Sequence, residues 1–421
     1  MSSNPGSLIP HLNPSERESR THVGELARTV RVLAIIEGDK VSGPAKNVLE
    51  FCRIARTTDS GPSVQISIAT FQRLSKGSAA VAGEKTELVM AARQNGVPIF
   101  VIPERFPFDV RVIAGLNDLA RQLGPDLIET HAVKSHVVTS ISGVGKKIPW
   151  IAFHHGYTQT DAKLRFYNSL DRWALRAPAQ IVTVSRASQQ QLAERGIRKS
   201  NIIAFHNAVN PSSPWKRVLG PELNRKKIEL GISPDDRVVL CIGRLSREKA
   251  QADLISALSH LQRMKPQVPV QVIFLGEGPE RARIEQAARS AGLQDRVRLL
   301  GYCSHVHRYY EVADVVAIPS TSEASPNVLL EAMAACVPVV ATSVGGIPEM
   351  VTHEETALLV EPRSPAAMAH ALHRLLHNDE LSRTLVQRAR KLIEKRFSPE
   401  GRAQFLTDLY FRIYQLKRRA A

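Results

Sequence analysis

Short, almost wholly apolar runs alternate with longer amphipathic segments from Val30 almost to the end of the chain, and this alternation leaves few folds open. The runs are VRVLAIIE (30–37), VQISIATF (64–71), PIFVIP (98–103), DLIETH (126–131), WIAFHH (150–155) and QIVTVS (180–185). Helix-length stretches such as AKNVLEFCRIAR and RVIAGLNDLARQLG lie between them. A strand apolar along its whole length is buried on both faces, and strand–helix alternation joins such strands in parallel. The rhythm breaks at NAVNPSSPWKR (207–217), where Pro211 and Pro214 interrupt a polar stretch. It restarts with VVLCIGRL (238–245), VQVIFLG (270–276), VRLLGY (297–302), DVVAIPS (314–320), PVVATSV (338–344) and ALLVE (357–361). A chain of 421 residues also exceeds one typical core. The expected architecture is α/β, with two doubly wound domains facing across a cleft. Residues 1–28 read as a flexible polar tail, 29–212 as the first domain and 213–398 as the second. Ser398 followed by Pro399 marks the N-cap and first turn of a last helix, 399–418.

Charge and cysteine content narrow the partners. The net charge is +16, spread along the chain and not held in one arm, so an acidic partner is expected. Aromatic residues make up only 5%, which argues against a base-stacking surface and hence against nucleic acid. Cys52, Cys241, Cys303 and Cys336 form no CxxC pair, so they read as free thiols. The first residues lack a basic-then-apolar leader, and no run of about 18 apolar residues occurs. The expected location is the cytoplasm, and the basic surface adds peripheral attachment to an anionic inner leaflet. No Asp-x-Asp pair is present, so neither a metal nor another cofactor is expected.

Four segments carry candidate chemistry. STSEASPNVLLEAM (320–333) follows a buried strand and opens a helix, with Pro326 suited to its first turn. The N–H groups of Asn327 and Val328 at that start form an anion site with the helix dipole. Glu323 precedes the helix and Glu331 lies more than a turn inside it, so the two carboxylates reach different parts of one extended ligand. Read alone, they are equally a first-turn carboxylate and a solvated helix residue. CIGRLSREKA (241–250) sets Arg244 and Lys249 at the carboxyl edge of the sheet, where a guanidinium fork and a point charge can grip a diphosphate. An ordinary basic loop has the same composition. GDKVSGPAKN (38–47) places Gly38 and Gly43 in a turn that permits close backbone approach, without a GxGxxG fingerprint. FHHGY (153–157) ends a strand, and either His154 or His155 can meet a hydroxyl-bearing ligand or be a satisfied structural histidine. His131 and His136 are weaker cases of the same kind.

Taken in order, these segments resemble glycosyltransferase family 4, with the GT-B fold of two Rossmann-like domains and a last helix that crosses back to the first. Glu323 and Glu331 match the family's Glu-x7-Glu, and residues 243–249 match its GlyArgLeu…GluLys segment. GEGP (276–279), VRLLG (297–301) and PVVA…GGIPE (338–349) follow in order and spacing. The resemblance implies a retaining transferase that moves a hexosyl group from a nucleotide-diphosphate sugar, UDP- or GDP-linked, to a glycan or lipid-linked acceptor. Cell-surface polysaccharide or lipopolysaccharide assembly is the pathway that family frequency suggests. It implies that Glu323 contacts the donor sugar, Glu331 the ribose or nucleotide, and Arg244 and Lys249 the diphosphate. Gly43 then lies in the loop over the phosphates, Pro326 and Asn327 at the helix start beneath them, and His154 beside sugar and acceptor. The first domain becomes the acceptor side and the second the donor side. Departures are Ala324 and Pro44 in place of glycines, NAVN at 207–210 and ThrAla at 356–357. Two other classes compete: a nucleotide-sugar epimerase on the same fold, and a non-enzymatic binder of an anionic polymer.

Overall fold

A computed structural model describes residues 29–57, 63–73, 86–106, 109–157, 162–211, 217–264 and 268–420. The expected tail, 1–28, lies outside them, and the expected 212/213 boundary falls in 212–216, also outside them.

Among the described residues the apolar runs form two parallel sheets. The first holds β1 (Val30–Ile35), β2 (Val64–Arg73), β3 (Ile99–Glu104), β4 (Leu127–Thr130), β5 (Trp150–His154), β6 (Gln180–Thr183) and β7 (Ile202–Ala204), in the order β3-β2-β1-β4-β5-β6-β7. The second holds β8 (Arg237–Ile242), β9 (Val270–Leu275), β10 (Val297–Leu299), β11 (Val315–Ile318), β12 (Val339–Thr342) and β13 (Leu358–Val360), in the order β10-β9-β8-β11-β12-β13. Every strand pair is parallel. Each sheet is covered by helices on both faces. Alternation along β5 shows this directly: Trp150 and Ala152 enter one apolar cluster, Ile151 and Phe153 the other. This is the GT-B arrangement.

Strand order reverses once in each sheet, between β1 and β4 and between β8 and β11, and ligands bind outside the carboxyl ends at such points. The opposite end of the second switch point is closed by charge. Asp314, just before β11, accepts from Val238 N at 2.8 Å and Arg237 Nη1 at 2.9 Å, and also pairs with Arg217. Those contacts satisfy a carboxylate that is only 5% exposed.

The closing helix Pro399–Ala420 begins as expected, with Ser398 Oγ accepting from Gly401 N at 3.1 Å. It returns to the first domain and lies on the Gly43–Thr57 helix beside β1. Tyr410 meets Phe51 edge-on at 5.7 Å, and Phe405 stacks on Phe205 at 4.0 Å. The Tyr410 hydroxyl donates to buried Glu129. Burial, then the Glu129 charge, raises the phenol pKa well above its ordinary value, so it stays a donor. The chain therefore crosses between the domains twice, at 205–211 and 397–399, and the crossings touch where Val209 N donates to Phe397 O at 3.0 Å.

Candidate active site

The loop after β8 and the loop after β11 are tied together at the switch point. Thr321 N donates to Glu248 O at 2.7 Å, and Gln251 Nε2 holds Arg244 O at 2.9 Å. A short 3-10 turn, Arg247–Lys249, then aims Lys249 across to the β11 loop. Its Nζ lies 2.7 Å from Glu323 Oε1, which also accepts from Ser320 Oγ at 2.7 Å. Glu323 is 8% exposed at its side chain and Lys249 28%, so the carboxylate is the inner partner. Arg244 is exposed, and the structure shows no hydrogen bond or ion pair from its guanidinium to the described residues.

The helix expected after the β11 loop is Asn327–Ala334, and no side chain caps it. Pro326 takes the N-cap position and not the first turn, because its ψ of 118° is extended. The first N–H groups therefore belong to Asn327 and Val328, and the dipole adds positive potential there. Glu331 sits in this helix, half-buried, and accepts from Tyr310 OH at 3.0 Å. Burial, then Glu331, keeps that phenol protonated. Tyr310 belongs to no motif, so nothing in the sequence singled it out.

The first domain reaches the same place. Gly43 opens the Gly43–Thr57 helix, and a Cβ on it would fall 3.1 Å from Asn327 Nδ2. The Asn327 side chain is itself engaged: Asn207 Nδ2 donates to its Oδ1 at 2.9 Å, while Asn207 Oδ1 accepts from Asn47 at 3.0 Å. Three asparagines thus bridge the domains beside the helix start, which engages the Asn327 Oδ1 and leaves its backbone N–H and Nδ2 as the donors it can offer a ligand. Ala324 has space because it faces a glycine; a Cβ on Gly156 would come within 2.7 Å of the Ala324 methyl.

His154 does not present an open imidazole. Its side chain faces into the first domain, the residue is 3% exposed, and Nδ1 lies 3.5 Å from Asp171 Oδ2. His136 Nδ1 takes the other oxygen at 2.6 Å. Burial opposes the Asp171 charge, but the hydrogen bonds from His136 and His154 outweigh it and hold the carboxyl below the usual range. His154 Nε2 has no partner among the described residues. His155 points to the opposite face, 3.4 Å from His131, and burial followed by the His131 charge keeps it neutral. His131 is paired with Glu129, and His136 with Asp171 through Nδ1, while the buried His136 Nε2, like His154 Nε2, has no partner among the described residues. Asp171 was missed from the sequence, since it lies in the last turn of helix Ala162–Ala174 with no motif around it. Among the described residues, no group of three or more His, Cys, Asp or Glu is placed to hold a metal ion.

Two family models match this chain: the one described as glycosyl transferases group 1 over residues 224–392, and glycosyltransferase family 4 over residues 76–213. The chain belongs to glycosyltransferase family 4. Among similar members is the N-acetyl-α-D-glucosaminyl L-malate synthase of Bacillus anthracis, 26% identical over 75% of this chain and 82% of that one. A putative teichuronic acid biosynthesis glycosyltransferase of Bacillus subtilis is 30% identical over 61% of this chain and 63% of its own length. Among solved structures, Anabaena HepE in complex with UDP-glucose superposes with a TM-score of 0.74 at 21% identity, covering 90% of this chain and 98% of that one. The family-4 chain is thus a glycosyltransferase on the GT-B fold. Within that fold, the Lys249–Glu323 pair and the Asn327 helix start occupy the second domain's switch point.

Proposed function

We propose that the protein is a metal-independent retaining hexosyltransferase, using a nucleotide-diphosphate sugar as donor and a glycan or lipid-linked acceptor in cell-surface polysaccharide assembly. The observation that carries this reading is the meeting of Lys249, Glu323 and the uncapped Asn327 helix start at one switch point. Lys249, exposed Arg244 and the N–H groups of Asn327 and Val328 offset the charge that grows on the diphosphate as the bond to the sugar carbon breaks. Glu323, held by Lys249 and Ser320, faces the sugar, and Glu331, oriented by Tyr310, takes the ribose. The acceptor hydroxyl attacks on the face from which the diphosphate departs, and its proton passes to the departing phosphate oxygen. The UDP complexes of the HepE neighbour favour a uridine donor. The first domain supplies the acceptor side and the second the donor side.

Attachment to an anionic leaflet belongs to the same proposal. The chain carries +16, no helix among the described residues is long and apolar enough to cross a membrane, and Phe106 and Val110 are exposed beside Arg105 and Arg111. One experiment tests the whole reading. The protein is incubated with UDP- and GDP-hexoses and vesicles of acidic or neutral lipid carrying a polyprenyl-linked acceptor sugar, and the product is read by NMR. A new glycosidic bond with the donor's anomeric configuration, and flotation with acidic vesicles alone, are expected. Inversion would remove the mechanism, free epimerised sugar would show an epimerase, and absence of flotation would remove the membrane.

A further inference from the structure

Glu349 sends its carboxylate out of its own domain. It lies in the short turn of helix Ile347–Met350 that follows β12, yet Oε2 accepts from Arg186 N at 2.8 Å and Oε1 from Ala187 N at 2.7 Å. Those are the first two N–H groups of the nine-residue helix Arg186–Glu194, which follows β6 in the first domain. The helix's own cap, Ser185, spends its hydroxyl on Ser188 N at 3.2 Å, so the carboxylate takes donors that the cap leaves over. His206 Nε2 stands 3.4 Å from Oε2, and Arg396 reaches the Glu349 carbonyl at 3.4 Å.

The same loop supports the candidate site on its other side. Gly346 N donates to Glu323 O at 3.0 Å. A Cβ on Gly346 would lie 1.9 Å from Ala324 O and 2.8 Å from Ser185 Cβ. Residues 346–349 therefore touch Glu323, Ala324 and the start of a first-domain helix at once. His206 and Arg396 flank the two chain crossings, so Glu349 sits beside the pivot between the domains. Near a pivot, a small change of angle moves the outer lips of a cleft far, and a charge-assisted contact there sets the angle.

We propose that Glu349 is a positioning residue: by capping the Arg186 helix it fixes the mutual orientation of the two domains at which sugar transfer occurs. The word transfer rests on the function proposed above; the capping contact and the orientation it sets do not. The test compares wild type, Glu349→Ala and Glu349→Gln by small-angle scattering, UDP binding and steady-state kinetics. Loss of the clip should enlarge the radius of gyration of the free protein and lower kcat about thirtyfold for Glu349→Ala, because misplacement of about 1 Å is costly to a reacting pair. UDP affinity should stay within about threefold, since the charged side chains proposed to hold UDP, Arg244, Lys249 and Glu331, all lie in the second domain. Glu349→Gln keeps an acceptor oxygen without the charge, so its kcat should recover to within about fivefold of wild type. Unchanged scattering with unchanged kcat would overturn the proposal, and so would UDP affinity falling in step with kcat, which would make Glu349 a donor ligand. Should Glu349→Ala not fold, the Gln variant decides by the same readouts against wild type, with a loss of about threefold to fivefold expected and none contradicting it. If wild type turns over no nucleotide sugar, the functional reading fails, while the scattering comparison still decides whether the clip sets the angle.

Discussion

Lys249→Ala should lower transfer by about a hundredfold to a thousandfold on the proposed mechanism, the range seen when one donor to a developing negative charge is removed. Two effects add. The diphosphate loses a cation as it departs, and Glu323 loses the ammonium that orients it at 2.7 Å. Among the described residues Ser320 remains as its one side-chain donor, 2.7 Å from the same oxygen, so the carboxylate is under-compensated at 8% exposure. A loop of ordinary solvated charges predicts otherwise, and the same loop contains the control. Arg247 is 71% exposed and 3.6 Å from Glu280, so Arg247→Ala should leave kcat within about twofold. Initial rates for the two variants at saturating donor separate the cases. Equal, small losses would return Lys249 to the class of surface charges.

Gly345→Ala should disable the enzyme from a position that bears no chemistry. Gly345 has φ of +54°, where a side chain costs about 1 kcal/mol or more. Its missing Cβ would lie 1.8 Å from Glu323 O and 2.9 Å from the carbonyl carbon. Backbone on both sides cannot yield as a flexible side chain does, so the segment bearing Glu323 and Ala324 must move. A shift of about 1 Å there predicts roughly a hundredfold loss in kcat/KM. The thermal midpoint should fall by only a few degrees, because the strain is local and the two cores are untouched. Near-normal kcat/KM in a folded variant would show that Glu323 is not held in a narrow geometry.

How much of this was legible in the sequence follows from the range of each interaction. Strands buried on both faces announce themselves as apolar runs, and twelve of the expected runs coincide with β1–β6 and β8–β13. β7, Ile202–Ala204, was missed because its short apolar run, IIAF, leads straight into the polar stretch read as a linker. The basic loop and the Glu323–Glu331 spacing were visible as local patterns, and the structure joins the first to Glu323 and turns Glu331 towards Tyr310. What stayed hidden depends on partners far along the chain. Asp171 meets His136 from 35 residues away, Asn207 meets Asn327 from 120, and Glu349 meets Arg186 from 163. None of these pairs leaves a periodic or motif-like trace. His154 shows the limit from the other side. Strand-end position left it either ligand-facing or structural, and a buried carboxylate on a neighbouring helix draws the ring inward.

In the proposed mechanism, side chains and one helix start neutralise the departing diphosphate with no divalent ion. Turnover of the nucleotide sugar, measured on chelator-washed protein in excess EDTA and again with added magnesium or manganese, tests it most directly. The two rates should agree within about twofold, since Lys249, Arg244 and the Asn327 helix start supply the charge in the proposed mechanism. Loss of turnover in EDTA, restored by either metal, would contradict it.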